Sequence, residues 1–461
     1  MSELGNKAGT LDLKFGDQGY AALPKPENAQ AFPASYSWNI DAAGRMIWIA
    51  ETVVDNDIYT YWTSLDAQGK PESVFVEIEN SSIDPELRGE REIRFITRAK
   101  IDDSLRFITH SQCLTQKNND LSYHAVVGHF QSNYLPLEGF GTKGMIRVQP
   151  EEWSSTPAAS SGLSEYHRSE TDASKITSHS NPLQQAEVKE ATVSGAASRS
   201  VLFGKTIKTL YASSIYLQPN SQKFWLALHD AQTGEPVAGL GPNEDQSQWQ
   251  IKDFRGGDAP FRPTDAHFFE DGGFALTGME ETESFVARYK SNGQLDLDFN
   301  KIGYLNFGSH NIQLGADEHR IVVALGSILS SDSVKLLVKV CDKHTGEPDT
   351  AFNGTGTLSI DLGLDAKIRA FNAGTVIIGP TGAIYIAGNL YMLDGDSISH
   401  RGIIYRITHD GKPDVSFGTG GRYLVPDEVT RISAAQLGPN GLRFVALRSD
   451  DSGYCAMQLL I

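Results

Sequence analysis

The residues in this sequence best suited to chemistry are carboxylates that recur in loops. Asp55 and Asp57, Asp394 and Asp396, and Asp450 and Asp451 each stand in a polar stretch between strand-like apolar runs. Lys117-Asn-Asn-Asp120, Glu280-Glu-Thr-Glu283 and Ser330-Ser-Asp-Ser333 occupy the corresponding places elsewhere. Hard divalent cations want several oxygen ligands, and a carboxylate-rich rim of this kind could hold calcium. No loop has the full calcium-loop spacing, however. In a chain of net charge −17, acidic loops are also the ordinary solvated surface. The six aspartates are therefore candidate binding residues, the metal is left undefined, and no cofactor is expected.

The remaining candidates read more plainly as structure. There is no HExxH pair, no Cys–His zinc spacing, no Gly-x-Ser-x-Gly elbow and no phosphate-cradling glycine loop. His124 and His129 fall in strand-like segments, which points to core or sheet-edge roles. Cys113, Cys341 and Cys455 are an odd three on or beside apolar runs, not a disulfide framework, and they read as small core residues in a reducing compartment. Trp48, Trp62 and Trp225 lie inside strand-like runs. Trp153 and Trp249 sit in polar stretches where a ring could stack on a sugar, but they do not recur along the chain.

What recurs is the frame Gly-x-(Leu/Pro)-Asp-x-x-Phe. It stands at Gly9 to Phe15, Gly293 to Phe299, Gly346 to Phe352 and Gly411 to Phe417, and with Glu for Asp at Gly69 to Phe75. Two worn copies, Tyr134 to Phe140 and Gly234 to Leu240, complete seven. Successive copies are 60, 65, 100, 59, 53 and 65 residues apart, a period that marks a repeat architecture. The 44 residues after Phe417 and the 15 up to Phe15 together make one further period. An apolar strand precedes each internal copy; the one missing before Gly9 is found at the other terminus, Tyr454 to Ile461. Complementary ends predict a closed ring with no exposed sheet edge between its first and last units.

Each repeat residue has a local reason. Gly supplies positive φ. Asp12, Asp296, Asp349 and Asp414 can accept a backbone N–H two residues on, an Asx-turn. Phe15, Phe75, Phe140, Phe299, Phe352 and Phe417 can bury their rings between units. Gly16, Gly141, Gly418, Asn300 and Asn353 follow, the residue types that most readily adopt a left-handed conformation.

On these motifs the chain resembles the delta-sixty repeat family of bacterial β-propeller domains, over nearly its whole length apart from one insertion. The resemblance implies a propeller and a bacterial source; it implies no agreed activity and no catalytic residues. The fold expected is all-β: one seven-bladed propeller over residues 1–461, its last blade closed by strands from both termini. A Ser-rich surface insertion is expected at 153–199 in blade three, where composition is too polar to bury a core.

Charge and ends bound the function. A surface this acidic argues against nucleic acid, and no stretch is long and apolar enough for membrane insertion. Met1 to Lys7 lacks the basic start and apolar core of a signal peptide, which predicts a cytoplasmic protein and leaves signal-independent export open. The reading favoured is a non-catalytic binding or scaffolding propeller that recognises a protein partner. A carbohydrate-binding, lectin-like propeller is the alternative. A metal-dependent hydrolase or lyase at the central channel is the second.

Overall fold

Short apolar runs broken by Gly- and Asp-rich turns give 28 strands and no α-helix among the described residues of the computed structural model. These are residues 7–23, 35–41, 43–54, 57–79, 91–101, 104–117, 120–149, 198–215, 223–251, 262–280, 283–308, 311–326, 334–362, 367–394, 397–449 and 454–461. The first strand, β1 (Tyr20–Ala22), belongs to the last blade. Blade one is β2 (Ser35–Ile40), β3 (Met46–Val54), β4 (Asp57–Leu65) and β5 (Pro71–Glu79). Blade two is β6 (Arg91–Ile101), β7 (Ser104–Lys117), β8 (Asp120–Gln131) and β9 (Met145–Val148); blade three is β10 (Arg199–Phe203), β11 (Thr206–Ile215), β12 (Lys223–Asp230) and β13 (Gln248–Ile251). Blade four is β14 (Arg262–Phe268), β15 (Phe274–Glu280), β16 (Glu283–Tyr289) and β17 (Tyr304–Asn306); blade five is β18 (Asn311–Ala316), β19 (Arg320–Gly326), β20 (Lys335–Asp342) and β21 (Thr357–Asp361). Blade six is β22 (Ile368–Ile378), β23 (Ile384–Asp394), β24 (Ser397–Ile407) and β25 (Arg422–Leu424); blade seven adds β26 (Val429–Gly438), β27 (Gly441–Arg448) and β28 (Tyr454–Leu459).

Every blade is an antiparallel meander, and the ring closes as the repeat spacing requires. β1 pairs with β28, Tyr20 opposite Met457 and Ala22 opposite Cys455, so blade seven reads β26-β27-β28-β1. Gly9 N–H donates to the Leu460 carbonyl and Leu460 N–H to that of Thr10, both across the junction of the two ends. The chain is a seven-bladed β-propeller. Its core lies between blades, where aliphatic and aromatic side chains of facing sheets form successive clusters around the ring. Cys341 and Cys455, in the third strands of blades five and seven, are buried in these clusters, and burial pushes the Cys341 thiol up to about 12. Cys113 lies in β7.

The residues 150–197 are outside the described part. Most of the Ser-rich stretch 153–199 therefore is too; its last residue, Arg199, opens β10. The flanks put the stretch on the connection from the outer strand of blade two to the inner strand of blade three.

Candidate functional site

In blades four to seven the Asp-x-x-Phe turn lies between the third and fourth strands, and its aspartate is absorbed by the turn itself. Oδ1 of Asp12, Asp349 and Asp414 accepts the N–H two residues on at 3.1, 3.0 and 3.0 Å, and Asp296 does so at 3.4 Å. The other carboxylate oxygen reaches back to the third strand. Asp296 pairs with buried Arg288, Asp414 with Arg406 at 3.2 Å, and Asp12 accepts from Gln458 at 2.7 Å. The same strand position holds Val340 in blade five, and His129 and Leu228 in blades two and three, whose repeat has Leu137 and Val237 in place of the carboxylate. Carboxylate and polar strand residue thus come and go together in most blades, a pattern set by packing within the blade.

This gives a contrast in stability. Asp296→Ala strands Arg288, whose other carboxylate partner is the half-exposed Asp271 at 2.9 Å, and is expected to cost about 2–4 kcal/mol. Asp349→Ala removes only a turn bond and should cost about 1 kcal/mol. Urea unfolding of the two variants measures the difference; equal losses would contradict the pairing.

The phenylalanine and the residue after it join neighbouring blades. Phe15, Phe140, Phe299, Phe352, Phe417 and Leu240 are all buried. The next amide donates to the carbonyl just ahead of the following repeat copy: Gly16 to Gln68 at 2.6 Å, Gly141 to Thr233 at 2.9 Å and Gly241 to Asn292 at 3.0 Å. Asn300 reaches Thr345 at 2.7 Å, Asn353 reaches Asp410 at 2.9 Å, and Gly418 reaches Ala8 at 2.9 Å. Six of the seven seams share this clasp. At the seam of blades one and two the described residues show another solution. Phe75 lies within β5 instead of a turn, and Tyr134 stands where the other copies have glycine, at φ +66°. Its ring stacks on Trp62 at 5.3 Å, with Phe107 and Phe130 beside them. At Gly9, Gly69, Gly234, Gly346 and Gly411 the glycine is required because a Cβ there would meet the preceding copy: at Gly69 it would come within 2.9 Å of the Phe15 ring.

Polar groups at the inner wall also serve the seams. Arg199 Nη2 of β10 lies 2.6 Å from Asp265 Oδ1 of β14, which also accepts the Ala266 N–H at 2.8 Å. Burial raises the Asp265 carboxyl above its ordinary range, and Arg199 opposes that shift. Asn311 Nδ2 donates to Asn372 at 2.6 Å across blades five and six. Asn389 both accepts from and donates to the backbone of Ile432 across blades six and seven, and Gln436 accepts the Ile40 N–H across the last seam. These amides and the carboxylate are spent between neighbours instead of converging on one point, as a channel active site would require. No group of three His, Cys, Asp or Glu stands together as metal ligands among the described residues.

Of the rim aspartates, Asp57 and Asp394 lie at the opposite ends of their blades from the clasps. Asp57 opens β4 opposite Val54, and Asp394 closes β23 opposite Ser397, each at the tip of a second-to-third-strand hairpin. Asp55, Asp396, Asp450 and Asp451 are outside the described residues. His129 is buried at the seam of blades two and three, its Nδ1 2.7 Å from the Ala231 carbonyl; His124 lies in β8. Trp249, set in a polar stretch of sequence, packs at the seam of blades three and four beside Gly241 and Gly293, which lack the Cβ that would meet its ring. Trp153 is outside the described residues.

Sequence reasoning missed that the two faces differ. The clasp face repeats nearly the same turn blade after blade. The hairpin face does not. The second strand has seven residues in blades four and five but 14 in blade two and 11 in blade six. Near the tip of the long hairpin, β8 stays paired with β7 on one side and on the other pairs with β11 of the next blade, Tyr123 opposite Ser214 and Ser122 opposite Ile215. Blades two and three thereby share one continuous sheet. The signal available in the sequence was the uneven spacing between each Gly turn and the following polar loop.

No family model matches the chain, and no curated protein does. Among solved structures, the chain is similar to Chaetomium thermophilum Sqt1 bound to the N-terminus of the ribosomal protein L10, at 11% identity over 92% of this chain and 96% of that one, TM-score 0.41. It is similar to the Pyrococcus horikoshii acylaminoacyl peptidase at 7% identity, covering 90% of this chain and 50% of the peptidase, TM-score 0.38. Polysaccharide lyase Uly1 matches at 10% identity over 97% of this chain and 93% of its own, TM-score 0.36.

Proposed function

We propose that this chain is a non-catalytic binding propeller that recognises a protein partner through its hairpin face. The observation that carries the reading is the platform formed where β8, still paired with β7, also pairs with β11 of the next blade. A ring needs its seams and its turns, and the clasp face supplies both with near-identical parts. Lengthened hairpins in blades two and six, and a sheet fused across two blades, are not needed to close it. Irregular segments carried on a rigid scaffold are where binding surfaces concentrate, and a broad sheet platform suits a macromolecule.

The clasp face has a weaker claim. Leu13, Leu297 and Val415 are 66, 61 and 77% exposed, and all three take the position after the repeat aspartate. Each stands on its own blade, however, and single exposed aliphatics are normal on a protein surface.

A thermal-shift screen over sugars and divalent cations, with and without chelator, tests the reading against its two alternatives. A ligand that binds only the folded state raises the unfolding midpoint. No shift is expected from either set. A sugar-specific rise would establish a lectin, and a chelator-reversed rise with a metal would establish an ion site at the rim.

A further inference from the structure

The outermost strand of a blade is a sheet edge, and exposed edges invite pairing with another chain unless they are short, charged with lysine or broken by proline. Six blades keep theirs short: β1, β9, β13, β17, β21 and β25 span three to five residues. Blade one does not. Its β5, Pro71–Glu79, has nine, because its repeat copy runs straight into the strand where the others make the Asp-x-x-Phe turn. From Ser73 to Glu79 it has neither lysine nor proline. Among the described residues no strand pairs with its outer side.

The ladder shows which groups are turned outward. Bonded and non-bonded pairs alternate along an antiparallel ladder. The two-residue hairpin closed by Val54 and Asp57 makes the odd-numbered residues of β4 bond to β3 and the even-numbered ones to β5. Ile78 and Val76, opposite Thr60 and Trp62, therefore bond inward. Glu77 and Glu79, opposite Tyr61 and Tyr59, direct their N–H and C=O groups away from the blade. The charged residues of β5 are Glu72, Glu77 and Glu79, all acidic.

We propose that β5 is a strand-addition site for an extended basic segment of a partner protein, with lysine or arginine of that segment set against Glu77 and Glu79. Main-chain bonds would give the affinity and the glutamates the preference. A second copy of this chain fits less well, since it would bring its own three glutamates and a net charge of −17. The site is separate from the hairpin face and does not rest on that reading.

The probe is a fluorescently labelled ten-residue peptide of alternating lysine and valine, followed by anisotropy against the intact protein. Saturable binding is expected. Methylating alternate backbone amides of the peptide should weaken it by about tenfold or more, since several edge hydrogen bonds are blocked at once. An alternating glutamate and valine peptide should not bind. Glu77→Pro, which removes an outward N–H and leaves the bonds to β4 in place, should lose binding, and Glu77→Gln with Glu79→Gln should weaken it. Equal binding by the methylated peptide, which needs no protein variant, would overturn the proposal by reducing it to charge attraction. A wild-type dimer in sedimentation that Glu77→Pro converts to monomer would also overturn it, by assigning the edge to a second copy.

Discussion

Gly9→Ala is expected to lower the unfolding free energy by about 3 kcal/mol, against about 1 kcal/mol for Gly420→Ala. Both glycines have positive φ, +74° and +61°, so both substitutions incur the left-handed strain of a Cβ. They differ in what that Cβ meets. At Gly420 nothing lies within 4 Å. At Gly9 it would fall on the Gly418 nitrogen and within 2.8 Å of the Phe417 ring. Those are the amide and the ring that clasp blade six to blade seven, so the collision opens a seam as well as straining a turn. Urea unfolding of the two variants isolates the close approach. Equal losses would mean that glycine is needed only for its φ and that the clasp is incidental.

The second large effect is a loss of stability on mild acidification. Burial pushes His129, His229 and His267 down to about 4. At His129 the bond to the Ala231 carbonyl opposes that shift and Arg106 adds to it; at His267 Arg199 and Lys343 add to it and Asp317 opposes it. Folded histidines therefore stay neutral while those of the unfolded chain take up protons. Their contribution is fully present above the ordinary histidine value of 6.5 and is lost as pH falls from there to about 4. A depression of this size corresponds to about 3 kcal/mol for each histidine. Asp265 has the opposite sign: its raised carboxyl gains relative stability as pH falls. Asp230, Asp317 and Asp342 are lowered, chiefly by backbone hydrogen bonds set against burial, and add losses only near and below ordinary carboxylate values. The window from pH 6.5 to 4.5 belongs to the histidines. Unfolding free energy at pH 7, 5.5 and 4.5 should fall steadily, and His229→Phe should flatten the slope. A flat profile over that range would show that these rings are not buried neutral.

The ring was legible because the repeat is a local device with a fixed chemistry. An aspartate that must cap its own turn, a phenylalanine that must reach the next blade and a residue that must turn left-handed cannot drift far in type. Gly16, Gly141, Asn300, Asn353 and Gly418 are all left-handed, and the ends of the chain complete one blade. What the frame could not reveal was its exception. Gly69 to Phe75 looks like a fair copy, yet its phenylalanine lies in a strand, and the consequence appears one blade later, where Tyr134 replaces a glycine. Only the seam connects the two. The platform of the hairpin face was hidden for a related reason: the pairing of Tyr123 with Ser214 joins residues in different repeat units, and nothing in either unit marks it. Trp249 shows the limit of reading burial from neighbours in sequence, since its polar flanks face away from the glycines that receive its ring.

The most direct test of the account is to capture a partner from source cells and compare its affinity for two variants. One removes residues 114–123 and joins Cys113 to His124 through an Asn-Gly turn, which deletes the tip of the long hairpin and the pairing of β8 with β11. The other changes Leu13, Leu297 and Val415 to serine on the clasp face. Binding through the platform predicts a protein partner whose affinity falls by about tenfold or more in the first variant and is unchanged in the second. A partner retained by the first variant and lost by the second would place the working surface on the clasp face and contradict the account.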